Sequence, residues 1–308
     1  MVSINERRAD IRKSDSISPG RGGDYLKIGF IGAGKVGVSL GMHILNCSQD
    51  ETTNVIGYYD KSSSAAREAA DLTKTKQYSN LMQLAEDSEM IFVTVSDDAI
   101  SSVWENLKEL PIEEKFVCHC SGSLTSATFS GINQYDAYGY SIHPLFAVSD
   151  KLTSYKKLKQ AIFTIEGEQS NLHIVTEFIK KLGNDVVQIR EEDKVRYHAA
   201  AVFGSNFVVG LADISIRMMM DCGFSYSEAL RALTPLMSEN MNRVLQAGSE
   251  ASLTGPVERN DVQTVKKHKK ALNEEERELY EVLSRHLVSI AKRKNKDKDY
   301  SEMEEIFK

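Results

Sequence analysis

The sequence predicts an α/β fold, a doubly wound and mostly parallel sheet, followed by an all-α C-terminal domain. A glycine-rich turn joins an apolar, strand-like segment to a helical pattern near the beginning of the chain. Strand-like and helix-like segments then alternate as far as Arg190, which is typical of a parallel sheet covered by helices on both faces. After Arg190 every patterned segment has helical periodicity, which indicates a second domain of a different class.

Length and composition limit the possible classes of protein. The chain has 308 residues, enough for two domains, and its 41% hydrophobic and 27% charged residues are typical of a soluble globular protein. A net charge of −6 argues against a nucleic-acid partner, which would require a basic face. No apolar run approaches the length of a membrane span, and the first residues lack the apolar core of a signal peptide. We therefore expect a cytoplasmic protein with no membrane partner.

The cysteines indicate packing rather than chemistry. Cys47, Cys118, Cys120 and Cys222 are too few and too scattered for a disulfide framework. Cys118 and Cys120 are one residue short of the C-x-x-C spacing of redox and zinc sites, and alternate residues of a strand share a face. We therefore predict no metal site and a reducing compartment.

The first strand and helix enclose a G-x-G-x-x-G motif formed by Gly32, Gly34 and Gly37. The first glycine permits a tight turn, the second lets the backbone approach a pyrophosphate, and the third lets the helix pack on the sheet. The helix N-terminus supplies N–H groups and a positive dipole to phosphates. The motif therefore predicts dinucleotide binding, and the alternative is a glycine-rich turn in another α/β protein. The predicted contacts are Gly32, Ala33, Gly34, Lys35, Val36 and Gly37.

The elements follow in order along the chain. Strands are predicted over residues 26–31, 54–59, 90–95, 116–120, 138–142, 161–165 and 186–189. Helices are predicted from Lys35, over 62–72 and 81–85, from Asp97 or Asp98 as cap, and over 172–182, 191–222, 226–246, 261–272 and 274–292. We expect the helix over 191–222 to be long and mostly buried, and the helix over 226–246 to bend at Pro235. The predicted domains are a mobile tail (1–24), a dinucleotide-binding domain (25–190), a helical domain (191–292) and a charged, frayed tail (293–308).

The end of the second strand bears on the choice of cofactor. Asp60 can bind the ribose 2′-hydroxyl and would repel a 2′-phosphate, which favours NAD(H). Lys61 and Ser62, with the serines that follow, can instead hold a 2′-phosphate. Ser96 and Asp97, at the end of a later strand, are further predicted cofactor contacts because ligands bind at the carboxyl ends of the strands in open α/β sheets.

Two groups of polar residues are candidates for the chemistry. Ser121 and His143 follow predicted strands and can contact substrate, although a capped turn and a structural histidine are equally good interpretations. On the first long helix, spacings of 4, 7 and 8 residues place Lys194, His198 and Ser205 with Asn206 on one stripe. His198 or Lys194 can donate a proton while Ser205 and Asn206 orient the substrate, whereas a satisfied core histidine is the alternative.

A turn-rich segment, residues 253–261, lies between two predicted helices. Thr254 offers a hydroxyl, and Arg259 can bind a carboxylate in a bidentate manner or form an ion pair that holds the loop. Asp261 is expected to cap the following helix.

With these residues in view, the chain resembles a family of two-domain proteins that pair a Rossmann-like domain with a C-terminal helical domain of formerly unknown function. The matching segments are residues 31–37, 95–100, 119–123, 143–145, 197–201, 205–206 and 253–261. Asn260 departs from the pattern, because the family usually has glycine there. The family is more distantly similar to 6-phosphogluconate-dehydrogenase-like enzymes, including ketopantoate reductase and pyrroline-5-carboxylate reductase.

The resemblance implies an NAD(P)H-dependent reductase of a small 2-oxo acid, with ketopantoate the best named candidate. It slightly favours NADP(H) over NAD(H), and it implies a homodimer formed through the helical domain. The nearest alternative is reduction of a cyclic imine such as pyrroline-5-carboxylate, which would depend more on Thr254 than on His198. A dinucleotide-binding sensor without turnover is the alternative from another class.

Overall fold

The eight strands form one sheet in a computed structural model that describes residues 26–47 and 53–308. The predicted tail, residues 1–24, lies outside the described residues. The strand order is β3-β2-β1-β4-β5-β6-β7-β8. The strands are β1 (Leu26–Ile31), β2 (Thr53–Tyr59), β3 (Lys76–Gln77), β4 (Met90–Val93), β5 (Phe116–His119), β6 (Tyr138–Pro144), β7 (Phe163–Gly167) and β8 (Val186–Gln188).

The sheet is mostly parallel, which confirms the predicted fold class. Neighbouring strands from β3 to β6 are parallel, and so are β7 and β8. The β6–β7 pair is antiparallel, with Ile142 opposite Ile165. The strands that follow β1 directly in the chain lie on one side of it in the sheet, and β4 begins the other side. The carboxyl ends of β1 and β4 lie at the same edge of the sheet, where ligands bind in such folds.

Helices cover both faces of the sheet, and alternate strand residues fill the two cores. Phe30 and Phe92 point into one core, whereas Ile31 and Val93 point into the other. The helices of this part are α1 (Lys35–Cys47), α2 (Ser63–Thr73), α3 (Leu81–Asp87), α4 (Asp97–Leu107), α5 (Tyr155–Leu158), α6 (Leu172–Lys181) and α7 (Lys194–Gly204). Trp104 is fully buried in the second core, where its indole N–H donates to the Ser130 carbonyl at 3.0 Å.

The chain divides into two compact units between Phe207 and Val208, within helix α8 (Asn206–Asp221). The second unit contains only helices among its described elements: α9 (Tyr226–Ser252), α10 (Pro256–Arg259), α11 (Val262–Ala271), α12 (Glu274–Lys294) and α13 (Ser301–Ile306). Its own apolar core includes Val257, Val265, Val288 and Met303.

The predicted long helix over 191–222 is wrong in two respects. The segment consists of a short 3-10 turn followed by two helices, α7 and α8. Ser205, between the two helices, is in a non-helical conformation (φ −129°, ψ −72°). It is also mostly exposed, since Val195, Phe203 and Val209 are each about 70% accessible. In length and composition, residues 191–221 could cross a membrane, contrary to the expectation from the sequence, but such a match occurs in soluble proteins too.

Two further expectations differ from the structure in the helical unit. The helix predicted over 226–246 continues to Ser252, with Gly248 in a non-helical conformation (φ 81°) that glycine adopts without strain, and the bend expected at Pro235, which lies within α9, stays a prediction. The predicted frayed tail is packed instead, because Tyr300, Met303 and Phe307 are each at most 2% exposed and complete the helical core. These three apolar residues are spaced three and four positions apart among charged residues, and α13 places them on one buried face.

Candidate active site

The glycine loop has the geometry that dinucleotide binding requires. Gly32 has φ +105°, and a Cβ there would lie 2.8 Å from the backbone of Thr94 on the next strand. A Cβ on Gly37 would lie 2.4 Å from the Gly32 carbonyl oxygen, so α1 can pack this closely on β1 only with glycine. A Cβ on Gly34 would meet nothing within 4 Å, and both Gly34 and Lys35 are exposed. The loop is therefore closed towards the protein and open towards a ligand.

Asp60 holds this loop from the end of β2. One carboxylate oxygen accepts the Ala33 N–H at 2.8 Å, and the other accepts the Ser62 N–H at 2.8 Å. The side chains of Lys61, Ser62 and Ser64 at the start of α2 are exposed. Each oxygen of Asp60, the group that the sequence assigned to the ribose, thus already accepts one backbone N–H.

The next two strands of the sheet are joined at their ends by Asp97 and Ser121. The Ser121 hydroxyl donates to Asp97 Oδ2 at 2.7 Å and accepts the Ser123 and Leu124 N–H groups at 3.2 and 3.0 Å. Its proton and both lone pairs are therefore used within the chain, which favours the capped turn that the sequence left open. Ser96 occupies the N-cap position of α4, one residue earlier than predicted, and its side chain makes no capping bond.

Two histidines and a tyrosine, His119, His143 and Tyr197, lie at the ends of β5 and β6. His119 is fully buried; its Nδ1 accepts the Ser121 N–H at 3.2 Å and its Nε2 lies 3.0 Å from the Thr125 carbonyl. His143 Nδ1 is hydrogen-bonded to the Tyr197 hydroxyl at 2.8 Å. Burial, followed by the charge of Lys194, lowers the pKa of His143 to about 4, so this imidazole is neutral at pH 7.

His198 faces the same point from α7. A Cβ on Gly122 would lie 2.4 Å from His198 Nδ1 and 3.0 Å from His143 Nε2, so both imidazoles approach a backbone that has no side chain. The two rings are perpendicular, with centroids 6.2 Å apart. Within the described part of the chain, His198 Nδ1 is buried without a hydrogen-bond partner. We call Gly122, His143 and His198, with Tyr197, the histidine cluster.

Lys194 lies beneath this cluster and does not reach solvent. Its side chain is 0% exposed, and its ammonium donates to the Ser121 carbonyl at 3.0 Å and to the Ser141 hydroxyl. Burial lowers its pKa to about 8, while the charge of Glu166 opposes this shift. The lysine therefore ties α7 to the ends of β5 and β6, one helical turn before His198.

Ser205 and Asn206 do not continue the predicted stripe. Both are exposed, and the Ser205 hydroxyl donates to the Ala201 carbonyl at 2.7 Å and to Asn206 Oδ1 at 2.9 Å. The bond to Ala201 competes with the helix, which breaks at Ser205, so the spacing of 7 and 8 residues no longer defines one face.

Thr254 and Arg259 lie in the second unit, where both are exposed. Part of the predicted loop is the one-turn helix α10, and Asp261 caps α11 as predicted, accepting the Thr264 N–H at 3.1 Å. Among residues 26–47 and 53–308, Arg259 has no ion pair, so the alternative of an ion pair that closes the loop is not observed. Asn260 adopts the left-handed conformation (φ 62°, ψ 37°) that glycine favours, which accounts for its place in the pattern.

Sequence reasoning missed Tyr197 and Ser141 as parts of the site. Ser141 and His143 are two residues apart on β6 and so share a face, a signal that could have indicated Ser141. Tyr197 precedes His198 directly, and only its contact with His143 across the fold reveals its place.

The comparisons with known proteins concern the fold and the class of protein. Residues 27–121 match the family described as NADP oxidoreductase coenzyme F420-dependent. Residues 161–287 match the family described as domain of unknown function (DUF2520). The chain is thus similar to one family over its first part and to another over its later part, and each match covers less than half of the chain. No curated protein matches the sequence.

Solved structures share the fold over most of the chain. A Thermotoga maritima protein is 28% identical with a TM-score of 0.69, covering 87% of this chain and 99% of that one. A Bacteroides fragilis protein is 20% identical with a TM-score of 0.69, covering 86% and 99%. A pyrroline carboxylate reductase from Plasmodium falciparum, with NADP bound, is 17% identical with a TM-score of 0.57, covering 89% and 98%. These likenesses show the fold, and the match of residues 27–121 to a family described as NADP oxidoreductase supports an oxidoreductase.

Proposed function

We propose that the protein is an NADPH-dependent reductase of a small 2-oxo acid. The observation that carries this proposal is the histidine cluster, in which a ring nitrogen of His198 at the carboxyl edge of the sheet has no partner among the residues that the structure describes. The open glycine loop lies at the carboxyl end of β1 in the same sheet. A sensor without turnover would need this loop, but it has no need of imidazoles converging at the substrate side.

The residues present fit a dinucleotide, because the loop is open at Gly34 and the first turn of α1 directs N–H groups outward. When bound, the reduced nicotinamide supplies a hydride to the electrophilic carbon of the substrate. His198 would donate a proton to the oxygen that gains negative charge, which is the role of a general acid. His143 stays neutral, held by Tyr197, and can donate or accept a hydrogen bond to orient the substrate.

NADPH is proposed rather than NADH because of the surroundings of Asp60. Its two oxygens already accept the Ala33 and Ser62 N–H groups, so the carboxylate acts as a brace between two turns. Lys61 and the exposed serines at the N-terminus of α2 provide a cation, hydroxyls and a helix dipole for a 2′-phosphate. Lys61→Glu should raise KM for NADPH about tenfold while KM for NADH changes little, a comparison made by steady-state kinetics.

Reduction of a cyclic imine acid is the second candidate. It is favoured by the fold shared with a pyrroline carboxylate reductase, and it also requires a proton donor and a carboxylate contact. Ketopantoate remains one member of the substrate panel without support from the comparisons.

We also propose that the protein is a soluble, cytoplasmic homodimer without a membrane partner. The exposed apolar side chains of α8 and α9, among them Val209, Leu236 and Leu245, support a second copy as the partner of this surface.

The test is oxidation of NADPH and NADH with ketopantoate, 2-oxoisovalerate and pyrroline-5-carboxylate, for the wild type and for His198→Ala. We expect turnover of one substrate that falls about 100-fold in His198→Ala, as is typical for a general acid. It should survive in the control His173→Ala, which changes an exposed histidine of α6. Turnover that the His198 substitution leaves intact would exclude His198 as donor. Tight cofactor binding without oxidation of either nucleotide would favour the sensor.

A further inference from the structure

The turn that carries Arg259 is held by a segment near the end of the chain. Residues 294–300, which we call the strap, begin at the last residue of helix α12 and lie beyond residue 287, where the match to DUF2520 ends. The family match therefore does not describe the strap. The strap contacts residues 253–260, which we call the Arg259 turn.

The strap satisfies the carbonyl groups of this turn. The Tyr300 hydroxyl donates to the Glu258 carbonyl at 2.5 Å, and the Lys298 ammonium donates to the Arg259 carbonyl at 2.8 Å. Lys294 donates to the Leu253 carbonyl at 2.7 Å at the other end of the turn. A helix of one turn such as α10 is not stable alone, and its last carbonyls have no partner within it. The strap supplies these partners and places two ammonium groups at this turn.

Asn260, in the Arg259 turn, donates a hydrogen bond to the strap. Its side-chain amide donates to the Asp299 carbonyl at 2.9 Å. Its backbone is in the left-handed region at φ 62°, where a non-glycine residue is disfavoured but asparagine is tolerated. Glycine could adopt this turn, but only the asparagine side chain adds a contact to the strap.

The strap also binds the carboxylate of Glu258, the residue next to Arg259. Glu258 Oε1 accepts the Asn295 amide at 3.0 Å and lies 3.8 Å from the Lys294 ammonium. The hydrogen bond from Asn295 holds the pKa of the Glu258 carboxyl below its usual value. On the other side, the carboxylate of Asp261 accepts the N–H and hydroxyl of Thr264 as the cap of α11.

Both acids that flank Arg259 are thus engaged elsewhere, and Arg259 is exposed without an ion pair in the described residues. We propose that the strap positions Arg259 and keeps its guanidinium free of Glu258, so that it binds the carboxylate of the substrate. This inference rests on the proposed function, because it assigns Arg259 to an acid substrate. The strap residues are positioning residues, since they act through Arg259.

The test removes the two groups that hold Glu258. In Lys294→Met/Asn295→Leu, Glu258 is released and competes for Arg259, so KM for the acid substrate should rise about tenfold while KM for NADPH and kcat change less than about twofold. Adding Glu258→Gln removes the competing charge and should restore KM to within about twofold, a rescue that general loss of structure would not allow. Lys292→Met, which breaks the Lys292–Glu304 pair outside the strap, is the matched control.

Unchanged KM in an active Lys294→Met/Asn295→Leu variant, or no rescue by Glu258→Gln, would overturn the proposal and leave the proposed function intact. If the wild type reduces no substrate of the panel, the proposed function and the substrate role of Arg259 fail together. The strap is then judged separately by hydrogen exchange of the amides of residues 253–260. Tyr300→Phe and Lys298→Met should speed their exchange at least about tenfold relative to Lys292→Met, and unchanged exchange would exclude the strap as well.

Discussion

Lys194 and His198 are one helical turn apart on α7 and have different surroundings. The sequence named both as proton donors, because the spacing places them on one face. The structure separates them: Lys194 is fully buried with two hydrogen-bond acceptors, whereas His198 is half-buried and one of its nitrogens has no partner within residues 26–47 and 53–308. Spacing predicts that the two side chains share a helix face. How deeply each one is buried depends on the strands packed beneath the helix, and the sequence of the helix carries no information about those strands.

The burial of Lys194 predicts a dependence of stability on pH. Its pKa is about 8 in the folded chain and 10.5 when exposed, so between these values the unfolded chain binds more protons than the folded one. The free energy of unfolding should therefore rise with pH from about 8 to 10.5, relative to Lys194→Met, which cannot titrate. Urea unfolding of both proteins across this range measures the difference.

Lys181→Met on α6, where the lysine is exposed, is the control for loss of one positive charge. A constant difference between wild type and Lys194→Met across the range would contradict a buried, pKa-shifted ammonium.

At the scale of elements, the glycine loop is where sequence and structure agree most closely. Gly32 and Gly37 are required by local geometry and Gly34 faces open space, so a motif with a strand before it and a helix after it was sufficient to predict each role. The two cofactor residues further along were harder to interpret. Asp60 and Asp97 lie at strand ends as expected, but their oxygens are used by neighbouring turns, a contact that forms only when the strands assemble.

The different roles of the loop glycines can be separated by two substitutions. Gly37→Ala should destabilise the fold by about 1–3 kcal/mol, because its Cβ would overlap the Gly32 carbonyl at 2.4 Å. Gly34→Ala has open space and should change stability by less than about 0.5 kcal/mol, but it should raise the Kd for NADPH about tenfold by blocking close approach of phosphate. Urea unfolding and titration calorimetry measure the two effects. Equal loss of stability in both variants would contradict the assignment of packing to Gly37 alone.

The last helix is the element that the sequence described least well. Charge density over residues 293–308 indicated a frayed tail, because the three residues that anchor it are spread between charged ones. They become a single apolar face only when α13 packs on α11 and α12. Long-range packing of this kind is absent from a window of the sequence.

This packing predicts that the end of the chain stabilises the helical unit. Phe307 is 2% exposed, and its ring lies 6.3 Å from that of Tyr280 on α12. Phe307→Ala should lower the free energy of unfolding by about 3 kcal/mol, the cost of removing a buried aromatic ring. Glu305→Ala, whose ion pair with Lys308 is exposed, should change it by less than about 0.5 kcal/mol. Denaturant unfolding followed by circular dichroism distinguishes this from a frayed end, for which both variants would match the wild type.

At the scale of the whole molecule, the order of classes along the chain was predictable, whereas the burial of the helices was not. Periodicity identified the sheet and the helices that follow, because each element repeats its own pattern of apolar residues. The apolar content of residues 191–222 suggested a buried helix, yet most of that surface is exposed in a single chain. The apolar composition of this segment indicates that its surface is covered in the assembled protein, but composition does not indicate which partner covers it.

That exposed surface leads to the prediction for the assembled protein. Leu236 and Leu245 on α9 are 60% and 76% exposed, and burying each leucine in an interface would contribute about 1.5–3 kcal/mol. We expect the wild type to sediment at twice the chain mass in analytical ultracentrifugation. Leu236→Glu/Leu245→Glu should sediment as a monomer that still binds NADPH, because the glycine loop belongs to the other unit. Gln263→Glu, an exposed residue of α11, should remain dimeric. A monomeric wild type would contradict the proposed dimer, and sedimentation with lipid vesicles, abolished in the double variant, would instead assign the surface to a membrane.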